Sequence, residues 1–278
     1  MGTYLRGLCD VLDMRYIGTS RSRGDGLISF DAGDSRQWLQ LEDQLKASPI
    51  KAVIDLIAPN VSPVDRQDRI PPALFCYPER LIRFATQKGA HIVHVGTDLP
   101  NSKVDAYQSF KESTLRSFLA AGTGVSVIIA PRLIGVGLSH DFLAGSIIRA
   151  VLKDSPIFLE DPDDVRGFLS VRTASQEIIH AALDDPQDNR PSFRAEREYL
   201  STKNFYSKVL SIHERLQHRG WGEMACSRKN FPDLNEWSRN CWDEVLESHG
   251  VRSKKIFKAH FYSLDEEIEA MFKHGKGG

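Results

Sequence analysis

Apolar side chains recur along the first half of the chain at two alternating periods. Over residues 3–13, Leu5, Leu8, Val11 and Leu12 fall at helical spacing, and residues 15–20 follow as a short strand. A second short strand ends at a turn over residues 30–34. Residues 35–45 are predicted helical, with Trp38, Leu39, Leu41 and Leu45 on a broad apolar face. Residues 52–59 form a continuous apolar run, which suits a strand buried on both faces. Helix is predicted over 73–89, stopped by Gly89, then strand over 91–96. A helix over 105–122 ends at Gly122, and one apolar strand spans 125–137. This order, with short connections, predicts a parallel sheet covered by helices, the doubly wound α/β class.

The second half is less regular. Residues 141–154 are predicted helical. Residues 157–160 and 167–172 are candidate short strands around a turn. A helix follows over 173–185, with Thr173 as its N-cap. Residues 185–202 are polar and expected to be a loop. The remainder, to about residue 272, is expected to be mostly helical. The chain shows no internal repeat and no low-complexity segment.

Composition narrows the class. The 278 residues suffice for one large α/β domain, or a nucleotide-binding domain with a smaller partner. Lys+Arg 36 against Asp+Glu 37 leaves a formal net charge of −1, which gives no electrostatic reason to expect a nucleic-acid partner. No apolar run reaches the roughly 18–20 residues of a membrane span. The N-terminal segment lacks a signal pattern, so a cytoplasmic protein is expected. Cys9, Cys76, Cys226 and Cys241 are far apart and include no CxxC, as reduced thiols would be. Cys9 and Cys76, beside apolar residues on predicted helices, are expected to be buried.

The sharpest chemical signal is Tyr107 and Lys111, one helical turn apart on one face. A nearby ammonium favours phenolate, and a phenol tuned toward neutrality exchanges a proton with a carbinol or carbonyl oxygen. The pair alone reads first as a surface helix pair. Context adds weight. A buried strand ends at Thr97 and Asp98, and in a doubly wound sheet ligands sit outside the carboxyl ends of the strands.

A strand-end hydroxyl followed by a Tyr-x-x-x-Lys helix and another buried strand resembles the extended short-chain dehydrogenases/reductases, the NAD-dependent epimerase/dehydratase family. Further segments resemble it in order over about residues 2–185. Gly2 resembles the last glycine of a Gly-rich turn. Residues 16–21 resemble the second strand, and Gly33-Asp34 the strand-end pair whose carboxylate contacts adenine. Val53–Ala58 resembles the strand under the cofactor, with Leu56 and Ala58 beside it. Residues 131–137 resemble the passage into the substrate-binding part, and Arg166 an arginine that meets a nucleotide-sugar diphosphate.

The resemblance implies a Rossmann-type doubly wound sheet over residues 1–135, with 168–185 returning to it. Residues 136–278 would be a smaller, mostly helical substrate-binding part. It implies Tyr107 as general acid/base, Lys111 as the group that lowers its pKa and holds the nicotinamide ribose, and Thr97 as the substrate-oxygen donor. Gly2, Ser20, Arg21, Asp34, Leu56 and Ala58 would meet the cofactor; Asp98, Arg132 and Arg166 would meet a small-molecule substrate. A homodimer is also implied. Ser20-Arg21 where NAD-preferring members carry an acid favours NADP over NAD.

Several positions depart from the pattern. The first strand and the first two glycines of the turn have no counterpart, which puts cofactor grip in question and keeps a non-catalytic binding or scaffold role open. Leu99 replaces the glutamate of the dehydratases, which argues against elimination and leaves keto reduction first and epimerisation second. Gly135 stands where the family has an asparagine.

Other residues receive plainer readings. His91 and His94 are read as core or edge histidines, with no metal site expected. Asp161, Asp163 and Asp164 are read as a solvated turn. Trp221, Trp237 and Trp242, with Phe231, are read as anchors of a helical cap, and Lys254, Lys255 and Lys258 as one helix face.

Overall fold

The structure is a computed structural model and describes the chain except for residues 22, 23, 25, 59–69, 98–105, 123, 140–141, 184–197, 219–262 and 276–278. The described chain falls into two units. The first holds Gly2–Ala130 and Gln176–Arg194; the second holds Met1, Pro131–Ser175 and Ala195–Gly278.

In the first unit, α1 (Gly2–Val11) precedes β1 (Gly18–Ser20), β2 (Leu27–Ser29) and α2 (Ser35–Gln44). Next come β3 (Ala52–Asp55), a 3-10 turn (Pro72–Cys76), α3 (Tyr77–Lys88), β4 (His91–Thr97), α4 (Ala106–Ala120) and β5 (Val125–Ala130). β1 and β2 pair in parallel, and β3-β4-β5 form a second parallel sheet with β4 central. Residues His91–Gly96 of β4 are all buried, as a strand covered on both faces must be. Gly89 ends α3 at φ 62°, a conformation glycine adopts without a Cβ clash.

Helix α2 shows how the apolar pattern builds the core. Trp38, Leu41 and Leu45 are buried, and the Trp38 indole meets Phe30 edge-on with ring centroids 4.8 Å apart. Its Nε1–H donates to the Ala32 carbonyl at 2.9 Å, so the ring is buried without stranding its donor. Leu39, expected on that face, is 66% exposed because it lies one residue, about 100° of helical rotation, from Trp38.

The second unit contains β6 (Arg132–Ile134), α5 (Leu143–Leu152), β7 (Val165–Ser170) and the start of α6 (Val171–Leu183). β8 (Glu198–Ser201), α7 (Thr202–His218) and α8 (Leu264–Gly275) complete it. β7 lies between β6, parallel, and β8, antiparallel. Phe168 and Phe205 stack at 4.4 Å in its core. Ser263 and Glu266 reciprocally cap α8: Glu266 Oε2 accepts from the Ser263 N–H at 2.7 Å and Ser263 Oγ from the Glu266 N–H at 3.2 Å.

Four expectations are corrected. The apolar run 125–137 is two strands, broken at Pro131, which has no N–H to continue a ladder. Residues 157–160 form no strand. Residues 198–201, inside the expected loop, form β8 through backbone pairing with β7. Helix α6 begins at Val171 directly after β7, and its cap is Ser170 rather than Thr173. Ser170 Oγ accepts from the N–H groups of Arg172 and Thr173 at 3.1 and 3.2 Å. Among the described residues, no helix is long and apolar enough to cross a membrane.

Candidate active site

Parallel strands place their carboxyl ends together, and here β3 ends at Asp55, β4 at Thr97 and β5 at Ala130, with Thr97 paired to Ala130. Thr97 is half-buried. Tyr107 lies in the first turn of α4, half-buried against the apolar cluster of this unit. Lys111, one turn on, is only 6% exposed, so the pair is not a surface pair. The Lys111 ammonium donates to the Ile57 carbonyl at 3.3 Å. Burial holds its pKa below the ordinary lysine value, and the charge of Asp55 works the other way.

Beneath this helix lies a buried polar group to which apolar spacing assigns no role. Asp55 is 2% exposed. Its Oδ2 accepts from His94 Nδ1 at 2.7 Å and from the Tyr77 hydroxyl at 3.0 Å; its Oδ1 accepts from the Ile57 N–H at 2.9 Å. His94 is fully buried and stacks on Phe118 at 4.4 Å. Its Nε2 has no hydrogen-bond partner among the described residues. Burial, then Asp55, push the Tyr77 phenol far above its ordinary pKa. The sequence signal for this group is a single carboxylate inside the apolar run 52–59. A charge in a strand buried on both faces requires partners.

The residues expected at the cofactor are spread over this unit. Gly2 opens α1, and a Cβ there would meet no atom within 4 Å. Ser20 ends β1, and Arg21 beside it is exposed. Asp34 caps α2: Oδ1 accepts from the Arg36 N–H at 2.9 Å, the main reason its pKa sits below the usual carboxylate value. Leu56 and Ala58 follow β3, half-buried and exposed. Asp98 and Leu99 lie outside the described residues.

In the second unit, Arg132 and Arg166 converge on Asp164. Arg166 Nε donates to Asp164 Oδ2 at 2.7 Å, and an Arg132 guanidinium nitrogen stands 3.6 Å from the same oxygen. Arg132 also lies over the Phe168 ring, 5.9 Å from its centroid. Asp164 is therefore a half-buried anchor that draws two guanidiniums together, rather than part of a solvated turn. Asp163, paired with Lys203 at 2.5 Å, does face solvent. At Gly135, a Cβ would fall 2.2 Å from Val171 Cγ1, so a side chain at this position would require Val171 to shift.

His91 bonds Ser126 Oγ at 3.0 Å, and His94 serves Asp55, so both are core histidines. Cys9 is buried, which pushes its thiol up to about 11. Cys76, expected to be buried, is exposed because it sits where the 3-10 turn gives way to α3. Cys226, Cys241, Trp221, Trp237, Trp242, Phe231, Lys254, Lys255 and Lys258 lie outside the described residues.

No protein-family model matches the sequence, and a comparison with curated proteins finds no match. Solved structures do match. MoeE5, solved in complex with UDP-glucose and NAD, is similar over 99% of this chain and 95% of its own, with TM-score 0.67 and 18% identity. The UDP-glucose 4-epimerase of Thermus thermophilus, solved with NAD, is similar over 99% and 96%, with TM-score 0.66 and 13% identity. The UDP-glucuronic acid 4-epimerase of Bacillus cereus gives TM-score 0.62 and 12% identity over 98% and 95%. At these identities the likeness is one of fold: a Rossmann-like fold shared with these solved structures.

Proposed function

We propose that this chain is a nicotinamide-dinucleotide-dependent enzyme acting on a nucleotide-activated sugar, with Tyr107 as the proton-transferring group. The observation that carries this reading is the burial of Lys111 one turn from Tyr107 on α4, hydrogen-bonded to the backbone after β3. A lysine of purely solvent function would not be buried at this cost.

The described residues fit such a cofactor. Lys111 has three N–H donors and, among the described residues, one acceptor, leaving donors for ribose hydroxyls. The open side of Gly2 at the start of α1 suits a pyrophosphate, because a helix N-terminus presents unpaired N–H groups. Asp34 would meet adenine, and Leu56 and Ala58 would flank the nicotinamide half. When bound, the dinucleotide supplies or takes the hydride. Ser20-Arg21 favours the 2′-phosphorylated form, since an exposed guanidinium at a strand end matches a phosphate; the solved relatives were determined with NAD.

The chain's own residues then divide the work. Thr97 donates to the reacting sugar oxygen and orients the carbon for hydride transfer. Tyr107 gives its phenolic proton to a carbonyl oxygen in reduction, or takes the carbinol proton in oxidation. Lys111 stabilises the phenolate that remains. The guanidiniums of Arg132 and Arg166, brought together at Asp164, would hold the diphosphate. Leu99 at the dehydratase glutamate position argues against elimination and leaves keto reduction, the first reading, and epimerisation. Epimerisation uses the same proton and hydride steps, and the printed activities of two solved relatives favour it.

The test is Tyr107→Phe assayed with UDP-sugars by following nicotinamide absorbance and product stereochemistry. Turnover is expected to fall at least about a hundredfold with the fold unchanged. Unchanged turnover would overturn the assignment of Tyr107.

A further inference from the structure

The Asp55 group does more than satisfy itself. Its two carboxylate oxygens point to different tasks: Oδ2 is held by His94 and Tyr77, while Oδ1 binds the Ile57 N–H. Ile57 in turn presents its carbonyl to the Lys111 ammonium. One residue thus joins the buried ammonium to the backbone of Leu56–Ala58. The titratable groups facing Asp55 come from three elements: Tyr77 from α3, His94 from β4 and Lys111 from α4. Thr114 of α4 hydrogen-bonds Tyr77, closing the group on that side.

We propose that Asp55 is a positioning residue, with its carboxylate as the counter-charge that keeps Lys111 an ammonium ion and as the anchor that sets the Leu56–Ala58 backbone. His94 and Tyr77 orient that carboxylate and pair Oδ2 away from water. A buried cation without a counter-charge loses its proton, and a neutral Lys111 stabilises no phenolate. The counter-charge role rests on the shared Ile57, whose N–H meets Asp55 Oδ1 at 2.9 Å and whose carbonyl meets the Lys111 ammonium at 3.3 Å. The anchoring role in cofactor binding rests on the function proposed above.

Two substitutions separate the roles. Asp55→Asn removes the charge but keeps an oxygen for the Ile57 N–H. Asp55→Leu removes both, and replacing a buried charge by an apolar side chain of similar size often preserves the fold. The readout is the pH titration of lysine labelled at its ε-carbon, followed by nuclear magnetic resonance, with the Lys111 signal identified by its absence from Lys111→Met. The Lys111 midpoint is expected to fall by at least about one pH unit in both variants. An unchanged midpoint in either folded variant overturns the counter-charge. Nicotinamide-nucleotide binding at a pH where Lys111 is protonated in both variants is expected to weaken more in Asp55→Leu than in Asp55→Asn, and equal binding overturns the anchor. If the wild-type chain binds no such nucleotide, the function reading fails while the lysine titration still decides the counter-charge.

Discussion

Gly135 shows how packing accounts for a position that resemblance alone marks only as a departure. In the sequence it stands where the resembled family has an asparagine. In the fold, Val171 and the Glu267 carboxylate occupy the space a side chain would need, with Glu267 Oε2 3.3 Å from the position of a Cβ. Gly135→Ala is therefore expected to destabilise the chain by about 1–3 kcal/mol through overpacking, measured by chemical denaturation. Asp55 and Cys76 illustrate two other kinds of information. Asp55 is visible as a charge in an apolar run, but its partners come from α3 and β4, about twenty and forty positions away, so no local pattern names them. The exposure of Cys76 depends on where a 3-10 turn becomes a helix, a boundary that apolar spacing does not mark.

Among the elements, those with a strong period are legible. Helices α2, α3 and α4 and the buried strand β4 lie close to where the apolar spacing puts them, and Gly89 stops α3 as expected, whereas β3 is an edge strand over Ala52–Asp55, half the expected run, and is fully buried only at Asp55. Elements held by pairing or by polar bonds are not. Glu198–Ser201 is a strand only because β7 offers an edge to it. Helix α8 is tied to β7 and α6 by Glu267, which accepts from Ser170 Oγ at 2.7 Å and pairs with Arg172. Burial raises the Glu267 pKa above its ordinary 4.5, opposed by Arg172. The folded state then binds this proton more tightly than the unfolded chain does. The corresponding stability is present below about 4.5 and is lost as pH rises through the raised value. Glu267→Gln, isosteric and not titrating, is expected to gain stability relative to wild type as pH rises across that window. Parallel denaturation curves from acid to neutral pH check this; a pH-independent difference would contradict it.

In the whole molecule, the fold class is legible because parallel strands and covering helices leave a strong alternating pattern. The division at Pro131 is less visible, since one apolar run crosses it. The candidate site follows the same rule. Thr97, Tyr107 and Lys111 are picked out by spacing, strand-end position and family resemblance together, while Asp55, His94 and Tyr77 require the register of β3 with β4 and the packing of α3. The central claim is that this assembly holds a nicotinamide dinucleotide. The direct measurement is a fluorescence titration of the folded 278-residue chain with NADPH and NADH, with Lys111→Met in parallel. Saturable binding by the wild type is expected, tighter for NADPH, with weaker binding by Lys111→Met. A folded wild-type chain that binds neither nucleotide would contradict the claim and favour a binding or scaffold role on the same fold.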